Sequence, residues 1–116
     1  MTRVFVFGAN TIGRHGAGAA AYAVLHHDAI YGQGEGLQGT SYAIPTKDRY
    51  IKTLSLKIIR EYVKRFREFA DDHPAMEFDV TRIGCGLAGY TDEDIAPMFT
   101  GAPKNCWFAR AWEPWL

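Results

Sequence analysis

The chain has 116 residues, a length that suits one domain with a real buried core. Its 13 Lys and Arg are balanced by 13 Asp and Glu, so no overall field draws it to nucleic acid or membrane, though a local patch is still allowed. Two cysteines, Cys85 and Cys106, are too few for a disulfide framework and point to a reducing, cytoplasmic setting; no apolar run is long enough to cross a bilayer, and the first residues lack a secretory apolar core.

In chain order, Val4-Phe5-Val6-Phe7 is a short run of β-formers that ends at Gly8 and reads as a strand buried on both faces. A glycine-rich loop follows, Asn10-Thr11-Ile12-Gly13-Arg14-His15-Gly16-Ala17-Gly18, and then an alanine-rich helix over 19–27. His26 and His27 read as a helix end that favours positive charge, not as ligands, because nothing nearby has metal-ligand spacing. Residues 31–39 hold four glycines among Gln33, Glu35 and Gln38 and read as a polar, flexible loop. Thr40-Ser41-Tyr42-Ala43-Ile44 is the second strand, with Pro45 expected to end it. Thr46 and Lys47 then stand beyond a strand's carboxyl end, where ligands of open α/β sheets bind. The alternative for Lys47 is a solvated surface lysine.

Residues 53–71 carry Leu56, Ile59, Val63, Phe66 and Ala70 at steps of three and four, one apolar stripe opposite a charged face. His73-Pro74 stops that helix. Residues 77–83 read as a strand that feeds Gly84-Cys85-Gly86-Leu87-Ala88-Gly89-Tyr90, and Thr91 caps a short helix to about residue 98. Three glycines between a strand and a helix entrance allow positive φ and close approach of an anion to bare backbone. The spacing is formally that of a dinucleotide fingerprint, but the acid expected about 20 residues on would fall close to the last residues of the sequence, so that reading is set aside. The last strand is read over 105–109, and Trp112 and Trp115 are expected to pack on the sheet. Neither cysteine has a histidine placed to activate it, so neither reads as a nucleophile. The order β-α-β-α-β-α-β implies a mostly parallel sheet with helices on both faces, and it brings the two glycine loops and Lys47 to one edge suited to a phosphate-rich ligand.

Three stretches resemble the macrodomains, within them the branch of ADP-ribose glycohydrolases and of antitoxins that remove ADP-ribose from DNA. Asn10 to Ala20 is similar to that branch's loop against the distal ribose. Ile44-Pro45-Thr46-Lys47 is similar to the strand end that holds its functional lysine. Arg82-Ile83-Gly84-Cys85-Gly86-Leu87 is similar to its diphosphate loop. The resemblance covers residues 4–99 and implies one three-layer α/β domain over 1–116, shortened at its N-terminus. It implies Lys47 and Asn10 as the catalytic pair, Lys47 near the anomeric carbon and Asn10 on the distal ribose. Gly8, Ala9, Gly16, Ala17, Gly18, Thr46, Gly84, Cys85, Gly86, Leu87, Ala88, Gly89 and Tyr90 would line the ligand, the diphosphate resting on backbone N–H groups of residues 86–89.

The glutamate-directed glycohydrolases carry an aspartate where this chain has Ala88. The antitoxins have a small residue there, so a mechanism relying on Lys47 alone is the one implied. No residue matches the acid that the family places on the adenine amino group, so weak discrimination among bases is expected. The implied partners are ADP-ribose and ADP-ribosylated protein or DNA, with no metal and no cofactor. Three functions stay open: hydrolysis of ADP-ribosyl linkages, binding without turnover, and removal of phosphate from ADP-ribose-1''-phosphate.

Overall fold

The computed structural model describes residues 2–116. Five strands form one sheet in the order β2-β3-β1-β4-β5. They are β1 (Thr2–Asn10), β2 (Gly36–Gln38), β3 (Ser41–Lys47), β4 (Met76–Val80) and β5 (Cys106–Phe108). All neighbours are parallel except β2, which runs antiparallel to β3. The helices are α1 (Gly18–His26), α2 (Leu56–Asp72) and the one-turn α3 (Asp92–Ile95), with 3-10 turns at Ala96–Phe99 and Arg110–Trp115.

The alternation of side chains along β1 builds the layers. Val4 and Val6 enter one buried cluster with Ile59, Val63, Phe66 and Ala70 of α2, while Phe7 and Ala9 enter another with Ala20 and Ala23 of α1. The sheet therefore has a helix on each face, as the mostly parallel α/β expectation requires. Phe66 is the centre of the larger cluster, with ring centroids 5.1 Å from Tyr42 and 5.3 Å from Phe78. The smaller cluster is mostly alanine, which lets α1 lie close on β1 and brings its N-terminus over the strand ends. Ser55 caps α2, its hydroxyl accepting from the Ile58 N–H. Thr91 and Asp94 form a reciprocal capping box at α3.

Four expectations need correction. The polar loop at 31–39 contains β2, pinned by Gln38, whose side-chain oxygen accepts from the Ile30 N–H at 2.8 Å and whose amide donates to Gln33 and Gly36 carbonyls. Pro45 does not end β3, which continues to Lys47. β2 pairs only with Ser41 to Ala43, so the N–H that proline lacks is not needed on that side. β4 stops at Val80, where the Thr81 hydroxyl and N–H both bond the Val6 carbonyl and turn the chain off the sheet. The helix expected to residue 98 is α-helical only to Ile95 and continues as a 3-10 turn across Pro97. Trp112 is fully buried, with ring centroids 5.3 Å from Phe99 and 6.1 Å from Phe108 of β5, and Trp115 packs at the edge of the same cluster.

Candidate functional site

The chain leaves β1 toward β3 on one side and returns from β3 to β4 on the other, so its direction reverses at β1. Beyond the carboxyl ends of these three strands lies a cleft of about 530 Å³, the position where open α/β sheets bind ligands. Its walls are the end of β1 with the first glycine loop and the start of α1, the end of β3 with the turn after it, and the end of β4 with the second glycine loop.

On the first wall, Gly8, Ala9, Asn10, Gly16, Ala17 and Gly18 all line the cleft. Asn10 is buried, and its amide is engaged at both ends. Its Oδ1 accepts from the Arg14 N–H and its Nδ2 donates to the Arg14 carbonyl, each at 2.8 Å. Asn10 thus clamps the loop, and one amide hydrogen and one lone pair remain for anything else. Behind it His15 is buried, with Nε2 3.2 Å from the Gln38 side-chain oxygen. The start of α1 has Ala17 at its cap position, no side-chain cap and no acid in its first turn. The N–H groups of Gly18, Ala19 and Ala20 therefore open onto the cleft without intrahelical partners.

On the second wall, the register between β1 and β3 shifts between Ala9 and Asn10. Ala9 pairs with Pro45 but Asn10 pairs with Lys47, leaving Thr46 as a bulge. A bulge re-aims the side chain that follows it, and here it sets Lys47 beside Asn10. Thr46 is buried and lines the cleft with Lys47, which is half-buried. No ion pair engages Lys47 among the described residues.

The third wall is the second glycine loop. Its internal hydrogen bonds come from the N–H groups of Cys85, Gly89 and Tyr90, to Arg82, Gly86 and Gly84 carbonyls. Those of Gly86, Leu87 and Ala88 take no part among the described residues, and all three residues line the cleft. Gly84 has φ +76° and sits on Ile95, whose Cδ1 would lie 3.1 Å from a Cβ there. Only glycine makes that turn cheaply. Cys85, Gly89 and Tyr90 are not on the cleft wall. The Tyr90 hydroxyl donates to the Leu54 carbonyl at 2.7 Å, and the Cys85 thiol faces the Ile83 carbonyl. Burial, then contact with Asp92, pushes the Cys85 thiol up to about 11.

The structure also lines the cleft with residues not expected to touch the ligand: Arg14, Ala19, Ala20, Arg82 and Ile83, which belong to the two loop motifs, and Ile51 and Thr81, which belong to neither. Their place beside strand ends was the available signal for all but Ile51, which follows a turn with no glycine to mark it. Arg82 is held by Asp92 through two bonds of 2.7 and 2.8 Å, and Asp92 also accepts from the Trp112 indole at 2.7 Å. Arg82 first, then Trp112, holds the Asp92 carboxyl below the usual carboxylate range. Three cations and no carboxylate line the cleft among the described residues. Two of them, Arg14 and Lys47, have no acidic partner there. Together with the free N–H groups of two walls, these cations give the cleft the chemistry to accept an anion. No group of three or more His, Cys, Asp and Glu among the described residues could hold a metal ion. No helix there is long and apolar enough to cross a membrane.

The fold is a mostly parallel α/β one of macrodomain-like kind. Among solved structures the chain is similar to one described as Thermosipho africanus DarTG in complex with ADP-ribose, at a TM-score of 0.64 and 15% sequence identity. The match covers 96% of this chain and 39% of that one, so the chain spans well under half the length of its neighbour. At that identity the likeness is one of fold. No family model matches the sequence, and no curated protein matches it.

Proposed function

We propose that the cleft binds ADP-ribose, and that Lys47 hydrolyses ADP-ribosyl linkages on protein or nucleic acid held there. The observation that carries the reading is the pair of facing backbone donor sets. The uncapped start of α1 and the free N–H groups of Gly86, Leu87 and Ala88 face one cleft with no carboxylate among its described lining residues. A diphosphate between them would gain charge-assisted hydrogen bonds from both walls. The structural neighbour's bound ADP-ribose is consistent with this ligand.

With the diphosphate on the second loop, the distal ribose would reach the bulge where Lys47 stands beside Asn10. There an ammonium could stabilise negative charge developing on a leaving group. Asn10 would act mainly by holding the loop in shape, since Arg14 engages both ends of its amide.

One observation favours a second reading, binding without turnover. Among the described residues no carboxylate lines the cleft to serve as general acid or base. Lys47→Ala separates the two. ADP-ribose affinity should fall by about 1 kcal/mol, the value of one partly solvated charge contact. Turnover of an ADP-ribosylated substrate should fall roughly 100-fold or more. Equal losses in both would make Lys47 a phosphate contact and leave the binding reading standing.

A further inference from the structure

Ile51 stands on the rim of the cleft at the end where Lys47 lies, and its backbone is out of character for its side chain. Its φ is +62°, the left-handed region that a β-branched residue rarely adopts. Among the described residues the other non-glycine with positive φ is Asp28, a type that tolerates that conformation. Packing does not compensate Ile51. It is 41% exposed and joins neither buried cluster.

The turn around it is held firmly. Asp48 Oδ1 accepts from the N–H groups of Tyr50 at 2.8 Å and Lys52 at 3.0 Å, and the Ile51 N–H donates to the Asp48 carbonyl at 3.0 Å. Just beyond, Leu54 N–H bonds the Thr46 carbonyl, and the hydroxyls of Thr53 and Tyr90 tie residues 53 and 54 to the second glycine loop. The turn is thus strapped to the end of β3 and to the loop that would carry the diphosphate. Backbone strain that the surroundings impose, and that buries nothing in return, is characteristic of ligand clamps.

We propose that Ile51 is a specificity-determining residue of the cleft, held left-handed by the turn from Asp48 to Lys52 so that its branched side chain walls the Lys47 end against the apolar face of the distal sugar. This rests on the ADP-ribose reading above. A ring face of C–H groups suits such a wall, whereas a polar or charged group placed there would lose its water without a partner.

The test is Ile51→Asn, because asparagine accepts the left-handed backbone and removes the apolar wall. Removing the strain should raise the melting temperature of the unliganded protein by about 3 °C or more. Removing the wall should weaken ADP-ribose binding, by calorimetry, about tenfold. Ile51→Gly repeats the test if the asparagine variant does not fold. A stabilised variant that binds ADP-ribose as the parent does would overturn the wall. A variant no more stable than the parent would show that the residue's own contacts hold it, and would overturn the argument from strain. The parent protein settles the underlying reading separately. If it fails to bind ADP-ribose, that reading fails and the wall with it; if it binds and only the variant comparison fails, the inference alone is wrong.

Discussion

Replacing Gly86 with alanine tests the anion site with little disturbance of the fold. Gly86 lines the cleft, its φ lies outside the left-handed region, and a Cβ built on it meets nothing within 4 Å. Alanine therefore fits the backbone, and the loss of glycine's freedom in the unfolded chain should leave stability unchanged or raise it by about 0.4–1 kcal/mol. The ligand meets a different situation. A phosphate resting on the N–H groups of Gly86, Leu87 and Ala88 would have to retreat from the new methyl. Hydrogen bonds to a charged group are worth about 1.5–3 kcal/mol each, so losing even one should weaken binding roughly 10- to 150-fold. Calorimetry with ADP-ribose, beside a melting curve without it, reads both effects. Gly84→Ala is the useful contrast, because its positive φ and the Ile95 Cδ1 at 3.1 Å should cost stability whether or not a ligand binds. A Gly86→Ala protein that melts like the parent and binds ADP-ribose equally well would refute a diphosphate on this loop.

Further expectations follow from the surroundings of the site. Burial pushes both Cys85 and Cys106 from 9.0 to about 11, so at pH 8 the thiolate fraction should be roughly 100-fold below that of a free cysteine, and alkylation by iodoacetamide should be correspondingly slow; fast labelling of the folded protein would show the Cys85 loop to be open. Asp92 has a folded-state pKa held below 3.8 by Arg82 and then Trp112, so its contribution is present above that value and is lost as pH falls through the lower folded value. Asp92→Asn should therefore melt below the parent at pH 7, and the gap should narrow as the pH is taken further below 3.8; a gap that stays constant with pH would mean that the ion pair contributes nothing.

The parts of the fold that were legible are those where burial follows periodicity. The stripe on α2 gave Ile59, Val63, Phe66 and Ala70, all buried, and the β-formers of β1 gave a strand covered on both faces. The position of Lys47 was legible because its strand runs parallel to the strands that feed both glycine loops, so their ends share one edge. What stayed hidden depends on polar side chains that satisfy backbone groups. Gln38 is 2% exposed, yet nothing in a glycine- and glutamine-rich stretch separates a buried amide from a solvated one. The clamp that Asn10 makes on its loop was hidden because its partner is the backbone of Arg14, four residues on, and a backbone partner leaves no trace in side-chain pattern. The bulge at Thr46 and the left-handed Ile51 are departures from local preference imposed by distant contacts, which is where propensity fails.

The composition of the cleft limits what Lys47 could do there. A lysine nucleophile must first lose a proton, and among the described residues the cleft wall offers neither a carboxylate nor a histidine to take it, since His15 points into the buried network with Gln38. A lysine acting as a cation needs no such partner. It needs only to stand near the bond that breaks, with no acid close enough to neutralise it, and Lys47 has no ion pair among the described residues. The two roles respond differently to Lys47→Arg. A guanidinium keeps the charge but cannot be a nucleophile, and its planar shape differs from an ammonium. Under the cation role the arginine protein should turn over ADP-ribosylated substrate measurably faster than Lys47→Ala, though below the parent because the charge is displaced. Under the nucleophile role the arginine and alanine proteins should be equally inactive. Single-turnover rates for the three proteins, with ADP-ribose affinity measured beside them, decide it, and equal inactivity with affinity intact would reject the cation role argued from the acid-free wall.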